Sequence, residues 1–211
     1  IEEVFESSKP DFVFHCAALK HVSPSMKIPR EYITTNILGT LNILETARKY
    51  KVKKLINIST DKVVNSDSIM GQTKKIAERL TRLYGYVSVR FGNVMASRGS
   101  VLEIWQRQIE NNEPLTVTDE RMTRYMMTIP EACSLLVKAA EVGESGDILI
   151  MDMGKKVNIL QLAKDILKKA NKSESIKIIG RREGESLEEK LITEEEEKKA
   201  TKQDEFFILK Q

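Results

Sequence analysis

Residues 54–75 read KLINISTDKVVNSDSIMGQTKK, and this stretch decides the fold of the chain. Its first six residues, 54–59, form a short run rich in branched apolar side chains, which predicts a buried strand. From Met70 to Tyr84 the pattern is helical and closes at Gly85, a residue type that commonly ends helices. A polar loop therefore joins a buried strand to a helix, as in a βαβ unit.

The same alternation continues on both sides of this unit. Further apolar runs at 11–17 and 86–91 predict strands, and the patterns at 32–50 and 101–112 predict helices. Strands that alternate with helices are typical of an α/β fold with a parallel sheet.

Beyond residue 113 the alternation becomes less regular. Strands are predicted at 114–119, 147–153 and 176–180, and helices at 130–142 and 157–170. We therefore predict an α/β fold with a Rossmann-like parallel sheet and a small α+β lobe. Residues 1–113 would form the C-terminal part of the Rossmann domain with its catalytic loop. Residues 114–211 would be mainly the substrate-binding lobe, with some segments that return to the sheet.

Composition excludes several classes of protein. A chain of 211 residues with 41% hydrophobic content can bury one good core. Its formal net charge of +3 is too small to indicate a nucleic-acid-binding surface. No apolar run approaches the ~20 residues of a membrane span, so we expect no membrane contact within this segment. Cys16 and Cys133 have no metal-ligand spacing and are predicted to be buried in a reducing, cytoplasmic compartment. The acidic stretch 193–205 is predicted to be a solvated helical face or a fraying tail.

The beginning of the chain indicates that a segment precedes it. The sequence starts at Ile1, and its ten glycines never form G-x-G-x-x-G or G-x-x-G-x-x-G, the turns that hold a dinucleotide pyrophosphate. At roughly 30 residues per βαβ unit, we expect about 80–90 further residues upstream.

Ser59-Thr60-Asp61-Lys62 follows the strand at 54–59, at the sheet edge where ligands bind in open α/β folds. An adjacent acid and base can protonate a leaving group and remove a neighbouring proton within one pocket. A lysine serves as a base only where burial or a nearby positive charge lowers its pKa, and Lys74 would be such a charge. The alternative is that the Asp-Lys pair belongs to a turn and helix cap.

An ordered series of motifs carries a family resemblance. Its members are FVFHCAALKHV (12–22), TNILGTLNILETA (35–47), STDKVVNSDSIMGQTK (59–74), VRFGNVMASRGSV (89–101), PLTVTDERMTRYMMTIPEA (114–132), ILIMDMG (148–154) and GRREGESLEEKL (180–191). In order and spacing they resemble the extended short-chain dehydrogenase/reductases. Within that family they are most similar to the nucleotide-sugar 4,6-dehydratases of polysaccharide biosynthesis, which act on UDP-N-acetylglucosamine.

The resemblance implies a reaction and roles for five residues. NAD, with NADP as the alternative, would take hydride from C4, water would leave across C5–C6, and hydride would return to C6. Thr60 would hydrogen-bond O4, Asp61 would protonate the departing C6 hydroxyl, and Lys62 would take the C5 proton. Met70 stands where some members have tyrosine and others methionine. Because a thioether cannot take a proton from O4, Asp61 or an ordered water is the candidate for that role. Lys74 would hydrogen-bond the nicotinamide ribose.

Further positions are implied by the same resemblance. The cofactor-binding residues would be Ala17, Ala18, Lys20, Ser59 and Lys74. The substrate-binding residues would be Lys20, Asn93, Ser100, Arg124, Arg182 and Glu185. Asn36 would brace the preceding strand, whereas His15 and His21 are interpreted as structural, and no metal site is predicted.

Three functions remain open from the sequence. The first is a UDP-N-acetylglucosamine 4,6-dehydratase, whose partner is a UDP-N-acetylhexosamine and which we expect to form homo-oligomers. The second is a UDP-sugar 4-epimerase on the same scaffold, which needs no acid–base pair for elimination. The third is a non-catalytic nucleotide-sugar-binding protein without the cofactor.

Overall fold

A computed structural model describes residues 1–64, 66–173 and 175–211. The strands are β1 (Phe12–His15), β2 (Lys54–Ile58), β3 (Val87–Arg90), β4 (Asn93–Val94), β5 (Leu115–Val117), β6 (Thr123–Arg124), β7 (Met126–Met127), β8 (Ile148–Met151), β9 (Val157–Asn158), β10 (Ile176–Ile178), β11 (Thr201–Gln203) and β12 (Phe206–Leu209). The helices are α1 (Glu2–Ser8), α2 (Val22–Lys27), α3 (Pro29–Tyr32), α4 (Gly39–Lys49), α5 (Ile69–Leu83), α6 (Val101–Glu110), α7 (Ile129–Val142), α8 (Ile159–Lys169) and α9 (Glu194–Glu197). A π-helix at Ile33–Leu38 runs between α3 and α4, and a 3₁₀ turn at Asp61–Val63 follows β2.

Six strands form the large sheet in the order β1-β2-β3-β8-β12-β11. The first four pair in parallel, and β12 and β11 continue the sheet as antiparallel strands. This arrangement confirms the predicted α/β class with a largely parallel sheet. The strands β8, β11 and β12 all come from beyond residue 113.

Helices cover both faces of this sheet. Ile56 packs in one cluster with α7 residues such as Leu135, whereas its neighbour Leu55 packs in another cluster with Leu44 of α4. Because successive strand residues point to opposite faces, β2 is buried from both sides. A continuous apolar run, rather than an alternating one, is the sequence pattern that this burial produces.

A second core lies outside the large sheet. Trp105 of α6, which is fully buried, packs with Leu115 of β5 and Ala163 of α8. The indole N–H of Trp105 donates a hydrogen bond of 2.8 Å to the carbonyl oxygen of Thr116. This contact fixes α6, whose N-terminus lies near the proposed substrate residues, to the small β5–β10 sheet.

Two sequence predictions are wrong. For residues 193–205 the fraying tail is wrong, because β11 lies there and Glu196 of α9 pairs with Arg90 at 3.0 Å, whereas the solvated helix is found at α9, which buries none of its residues. Arg90 is buried and also pairs with Glu78 at 2.6 Å, so the acidic segment neutralises an interior charge. Cys16 and Cys133 are exposed rather than buried.

Within the described ranges, we find no helix with the length and apolar character that crossing a membrane requires.

Candidate active site

The backbone at the end of β2 is held in place by β3 and the residue after it. The Ser59 N–H donates to the carbonyl oxygen of Val89 at 2.7 Å, and the Asp61 N–H donates to that of Phe91 at 3.0 Å. Thr60 caps the 3₁₀ turn, because its hydroxyl oxygen accepts from the Lys62 N–H at 3.4 Å. The turn-and-cap interpretation therefore describes the backbone and the Thr60 hydroxyl, and the Asp61 and Lys62 side chains take no part in the cap.

The acidic and basic side chains of this turn meet. Lys62 Nζ donates to Asp61 Oδ1 at 2.9 Å and to Asn93 Oδ1 at 3.0 Å, and the Thr60 hydroxyl donates to Asp61 Oδ1 at 2.9 Å. The Asp61 side chain is fully buried, and its Oδ2 has no hydrogen-bond partner among the described residues. A buried carboxylate oxygen without a donor is costly, so a ligand hydroxyl would satisfy it. The structure thus brings together four of the predicted site residues.

Lys74 lies one helical turn beyond Met70, and both side chains are buried. The Lys74 ammonium donates to the carbonyl oxygen of Ile58 at the end of β2. Burial lowers the pKa of Lys74 to about 8, although the Glu78 charge opposes this shift. The pKa of His15 falls to about 4, first because it is buried and then because Lys74 is nearby.

Asn36 in the π-helix braces the loop after β1, whereas the resemblance implied that it would brace the strand itself. Its Oδ1 accepts from the Leu19 N–H at 2.8 Å, and its Nδ2 donates to the Leu19 carbonyl at 2.9 Å and to Thr73 Oγ1 at 3.0 Å. These bonds join the loop to α5. In the same loop Ala17 is exposed and Ala18 is half-buried.

Of three other predicted residues, two contact side chains, and the third has a hydroxyl without a partner among the described residues. Lys20 Nζ donates to Ser97 Oγ at 2.9 Å, just before α6. Ser59 Oγ donates to Glu78 Oε2 at 2.6 Å. Ser100 is the N-cap residue of α6, and its buried hydroxyl oxygen has no partner in the described part of the chain.

Arg124 is buried, and its Nη groups bind backbone. They donate to the carbonyl oxygens of Thr123 at 2.8 Å, Leu187 at 3.0 Å and Ser186 at 2.7 Å. Arg124 therefore anchors the segment around residue 187, and its predicted contact with a diphosphate stays a prediction.

Arg182 and Glu185 close a turn in which the Arg182 N–H donates to Glu185 Oε2 at 3.1 Å. Gly184, with φ of +74°, lies in this turn, and a Cβ there would come within 3.2 Å of Val22 and 3.3 Å of Ser68. The turn therefore packs beside the start of α5, on the same side as the catalytic loop. The Arg182 side chain itself is exposed.

The structure adds one residue that the sequence did not single out. Glu189 is buried, and its Oε1 lies 3.8 Å from Lys62 Nζ and 3.8 Å from Arg124 Nε. Burial raises the pKa of Glu189. Nothing local distinguishes it from the exposed Glu188, because only long-range packing buries one and not the other.

The site offers hydrogen-bond donors that suit an organic ligand. No cluster of three or more His, Cys, Asp or Glu side chains suited to a metal occurs within residues 1–64, 66–173 and 175–211. Lys74 has three N–H donors, of which the described residues engage one. A buried cation with donors to spare at a strand end suits a polyhydroxyl group such as a ribose.

Comparison with known proteins shows the family to which the chain belongs. The sequence profile of a family described as polysaccharide biosynthesis protein matches residues 1–211. The capsular polysaccharide biosynthesis protein CapD of Staphylococcus aureus is 44% identical over 206 residues, which is 93% of this chain and 34% of CapD. A UDP-glucose 4-epimerase of Rickettsia bellii is 40% identical over 199 residues, or 90% of this chain and 58% of the epimerase. The chain thus spans about a third to three fifths of these curated relatives.

Solved structures show the same fold. Pen from Bacillus thuringiensis superposes with a TM-score of 0.92 at 34% identity, covering 99% of this chain and 68% of Pen. DesIV, a dTDP-glucose 4,6-dehydratase of Streptomyces venezuelae solved with NAD and TYD bound, gives a TM-score of 0.81 at 18% identity. The match covers 94% of this chain and 70% of DesIV, and at that identity it shows the Rossmann-like fold alone.

Proposed function

The chain belongs to the polysaccharide biosynthesis protein family, and from this premise we propose that it forms the catalytic part of an NAD-dependent UDP-N-acetylglucosamine 4,6-dehydratase. The observation that carries the proposal is the Asp61–Lys62 pair, joined at 2.9 Å at the end of β2. An elimination needs an acid and a base within one pocket, whereas a hydride transfer alone does not.

Each member of the pair has a separate task in this reaction. Asp61 protonates the departing C6 hydroxyl, and its Oδ2, which no described residue contacts by a hydrogen bond, is the oxygen that this hydroxyl would reach. Lys62 takes the C5 proton, which the C4 ketone has made acidic. Thr60, whose hydroxyl also contacts Asp61, holds O4. Because Met70 has no proton to exchange, Asp61 or an ordered water receives the O4 proton.

Bound NAD would supply hydride acceptance from C4 and hydride return to C6. Lys74, from its fixed position against Ile58, would donate to the nicotinamide ribose with its remaining N–H groups. Asn36 keeps the 17–20 loop against α5, where Ala17 and Ala18 would border the cofactor. NADP is the alternative cofactor.

The nucleotide part of the substrate would lie toward α6 and the 182–185 turn. Ser100, with its unpartnered hydroxyl, and the N–H groups at the start of α6 would meet the diphosphate. Arg182 is exposed and free to contact a phosphate or the uridine. Glu185 keeps that turn closed through the Arg182 N–H.

A 4-epimerase is the second candidate, and the likeness to the Rickettsia bellii UDP-glucose 4-epimerase supports it. An epimerase oxidises C4 and returns the hydride to C4, so it never removes the C5 proton. The Asp61–Lys62 pair would then have no elimination to perform. The two functions therefore differ in whether Lys62 is needed for exchange at C5.

The test is product analysis of the full-length protein with UDP-N-acetylglucosamine, beside its Lys62→Ala variant. A dehydratase gives a product lighter by one water, and Lys62→Ala loses C5 proton exchange. An epimerase gives a product of unchanged mass, and Lys62→Ala keeps part of its activity. A binding protein gives no product and releases no NAD on denaturation.

A further inference from the structure

We propose that Glu189 is a positioning residue of the acid–base pair, whose carboxylate holds the Lys62 ammonium group at the strand end and balances its charge. This inference rests on the proposed function, because it assigns a role within the same reaction. The sequence did not single out Glu189 itself, which reaches Lys62 from the far end of the chain.

The Glu189 carboxylate is a buried charge without a hydrogen-bond donor among the described residues. Its side chain is 9% exposed, and one oxygen, Oε1, lies 3.8 Å from both Lys62 Nζ and Arg124 Nε. A buried carboxylate that lacks donors persists only where cations compensate it. Lys62 and Arg124 are those cations, so Glu189 belongs electrostatically to the site.

Backbone contacts place Glu189 there. The Thr123 N–H donates to the Leu187 carbonyl oxygen at 3.1 Å, and Arg124 donates to the same oxygen at 3.0 Å. Arg124 also donates to the Ser186 carbonyl oxygen at 2.7 Å. The peptide groups just before Glu189 are therefore fixed to β6, and the side chain is delivered to Lys62 by a rigid segment.

The distance of 3.8 Å suits positioning better than hydrogen bonding. Lys62 already gives two of its three donors to Asp61 and Asn93. Glu189 attracts the ammonium group without occupying the third donor, which leaves that position open toward a substrate. When the amine is neutral, the same position offers its lone pair to the C5 proton.

Four charged groups face Glu189, namely Lys62, Asp61, Arg124 and Glu185. Burial and the two carboxylates raise the pKa of Glu189, whereas Lys62 and Arg124 oppose the rise. As the pH falls through this raised value, Glu189 becomes neutral and its hold on Lys62 weakens.

The experiment compares Glu189→Gln with Glu188→Gln in the full-length protein, using UDP-N-acetylglucosamine. Glu188 is the matched control, because its side chain is 61% exposed and pairs with Lys156 away from Lys62. For Glu189→Gln we expect kcat to fall between about tenfold and a hundredfold, with a smaller change in KM, because the base is misplaced. We also expect the acid limb of the pH profile to move to lower pH, because the variant lacks the carboxylate whose pKa is raised by burial at this position. Glu188→Gln should change neither.

Glu189→Asp keeps the charge on a shorter arm and should restore the wild-type acid limb with only part of kcat. A loss of kcat with an unmoved acid limb would make Glu189 merely structural and overturn the inference. So would equal behaviour of Glu189→Gln and Glu188→Gln. If Glu189→Gln does not fold, Glu189→Asp is compared with Glu188→Asp instead. The inference then requires that kcat is lower in Glu189→Asp than in Glu188→Asp. Absence of dehydrated product from the wild type would instead refute the proposed function.

Discussion

Replacing Lys74 by methionine should stabilise the protein while abolishing its activity. Lys74 is buried, and its pKa lies at about 8 instead of 10.5. That lowering of the pKa corresponds to about 3 kcal/mol of destabilisation of the charged form, at about 1.4 kcal/mol per pKa unit. Methionine avoids this cost but leaves the Ile58 carbonyl without its donor, which costs roughly 1 kcal/mol. The expected net gain at pH 7 is about 2 kcal/mol in the free energy of unfolding.

The lowered pKa of Lys74 also determines how the stability of the protein changes with pH. Between pH 8 and 10.5 the unfolded chain binds more protons at Lys74 than the folded chain does, so wild-type stability rises with pH across that window. Below pH 8 the whole penalty is present. The advantage of Lys74→Met should therefore be largest at pH 7 and should shrink as the pH approaches 10.5.

Denaturant unfolding of nucleotide-free protein at pH 7 and pH 9.5 measures both the gain in stability and its dependence on pH. The second pH lies inside the window between about 8 and 10.5 in which the penalty declines. Lys75→Met is the control, because Lys75 is exposed in the same helix and should change stability by less than about 0.5 kcal/mol. The pKa of His15, now about 4, should rise in Lys74→Met but stay below 6.5, since burial is its main cause. A variant less stable than wild type at pH 7, or a stability difference that does not depend on pH, would refute the reasoning.

Two further variants test the catalytic loop. A Cβ at Gly71 would collide with the Lys62 carbonyl oxygen, so Gly71→Ala should lower both the stability of the protein and kcat. The control is Gly39→Ala, whose Cβ would lie 3.7 Å from its nearest neighbour and which should stabilise the protein by about 0.5–1 kcal/mol. Thermal unfolding and steady-state rates compare the two variants, and equal effects would show that the structure relaxes to accommodate the Gly71 side chain. Asp61→Asn should stop elimination and slow formation of the 4-keto intermediate, as followed by reduced-cofactor absorbance in single turnover; undiminished 4-keto formation would exclude Asp61 as the acceptor of the O4 proton.

The β2–α5 unit was predictable because its signals are local. The apolar run at 54–59 gave β2, and Gly85 marked the end of α5 to within two residues. The contact between Asp61 and Lys62 also follows from adjacency in a tight turn. Their contact with Asn93 required only that parallel strands end at one sheet edge.

Long-range packing explains what the sequence did not reveal. Glu189 is buried only because residues 186–187 bind to Arg124, and no local pattern encodes that pairing. The strand β12 was missed because it returns antiparallel beside β8 after a highly charged stretch. In that stretch the ion pair with Arg90 positions Glu196, and Arg90 is buried only when the sheet is complete.

The most direct test of the account is proton NMR of the full-length protein with UDP-N-acetylglucosamine in heavy water, after the intact mass of the protein has been measured. The account predicts a 6-deoxy-4-keto sugar nucleotide with deuterium at C5, because Lys62 exchanges its proton with solvent between abstraction and return. A product epimerised at C4 without deuterium at C5, or no turnover by protein that is loaded with NAD, would contradict it.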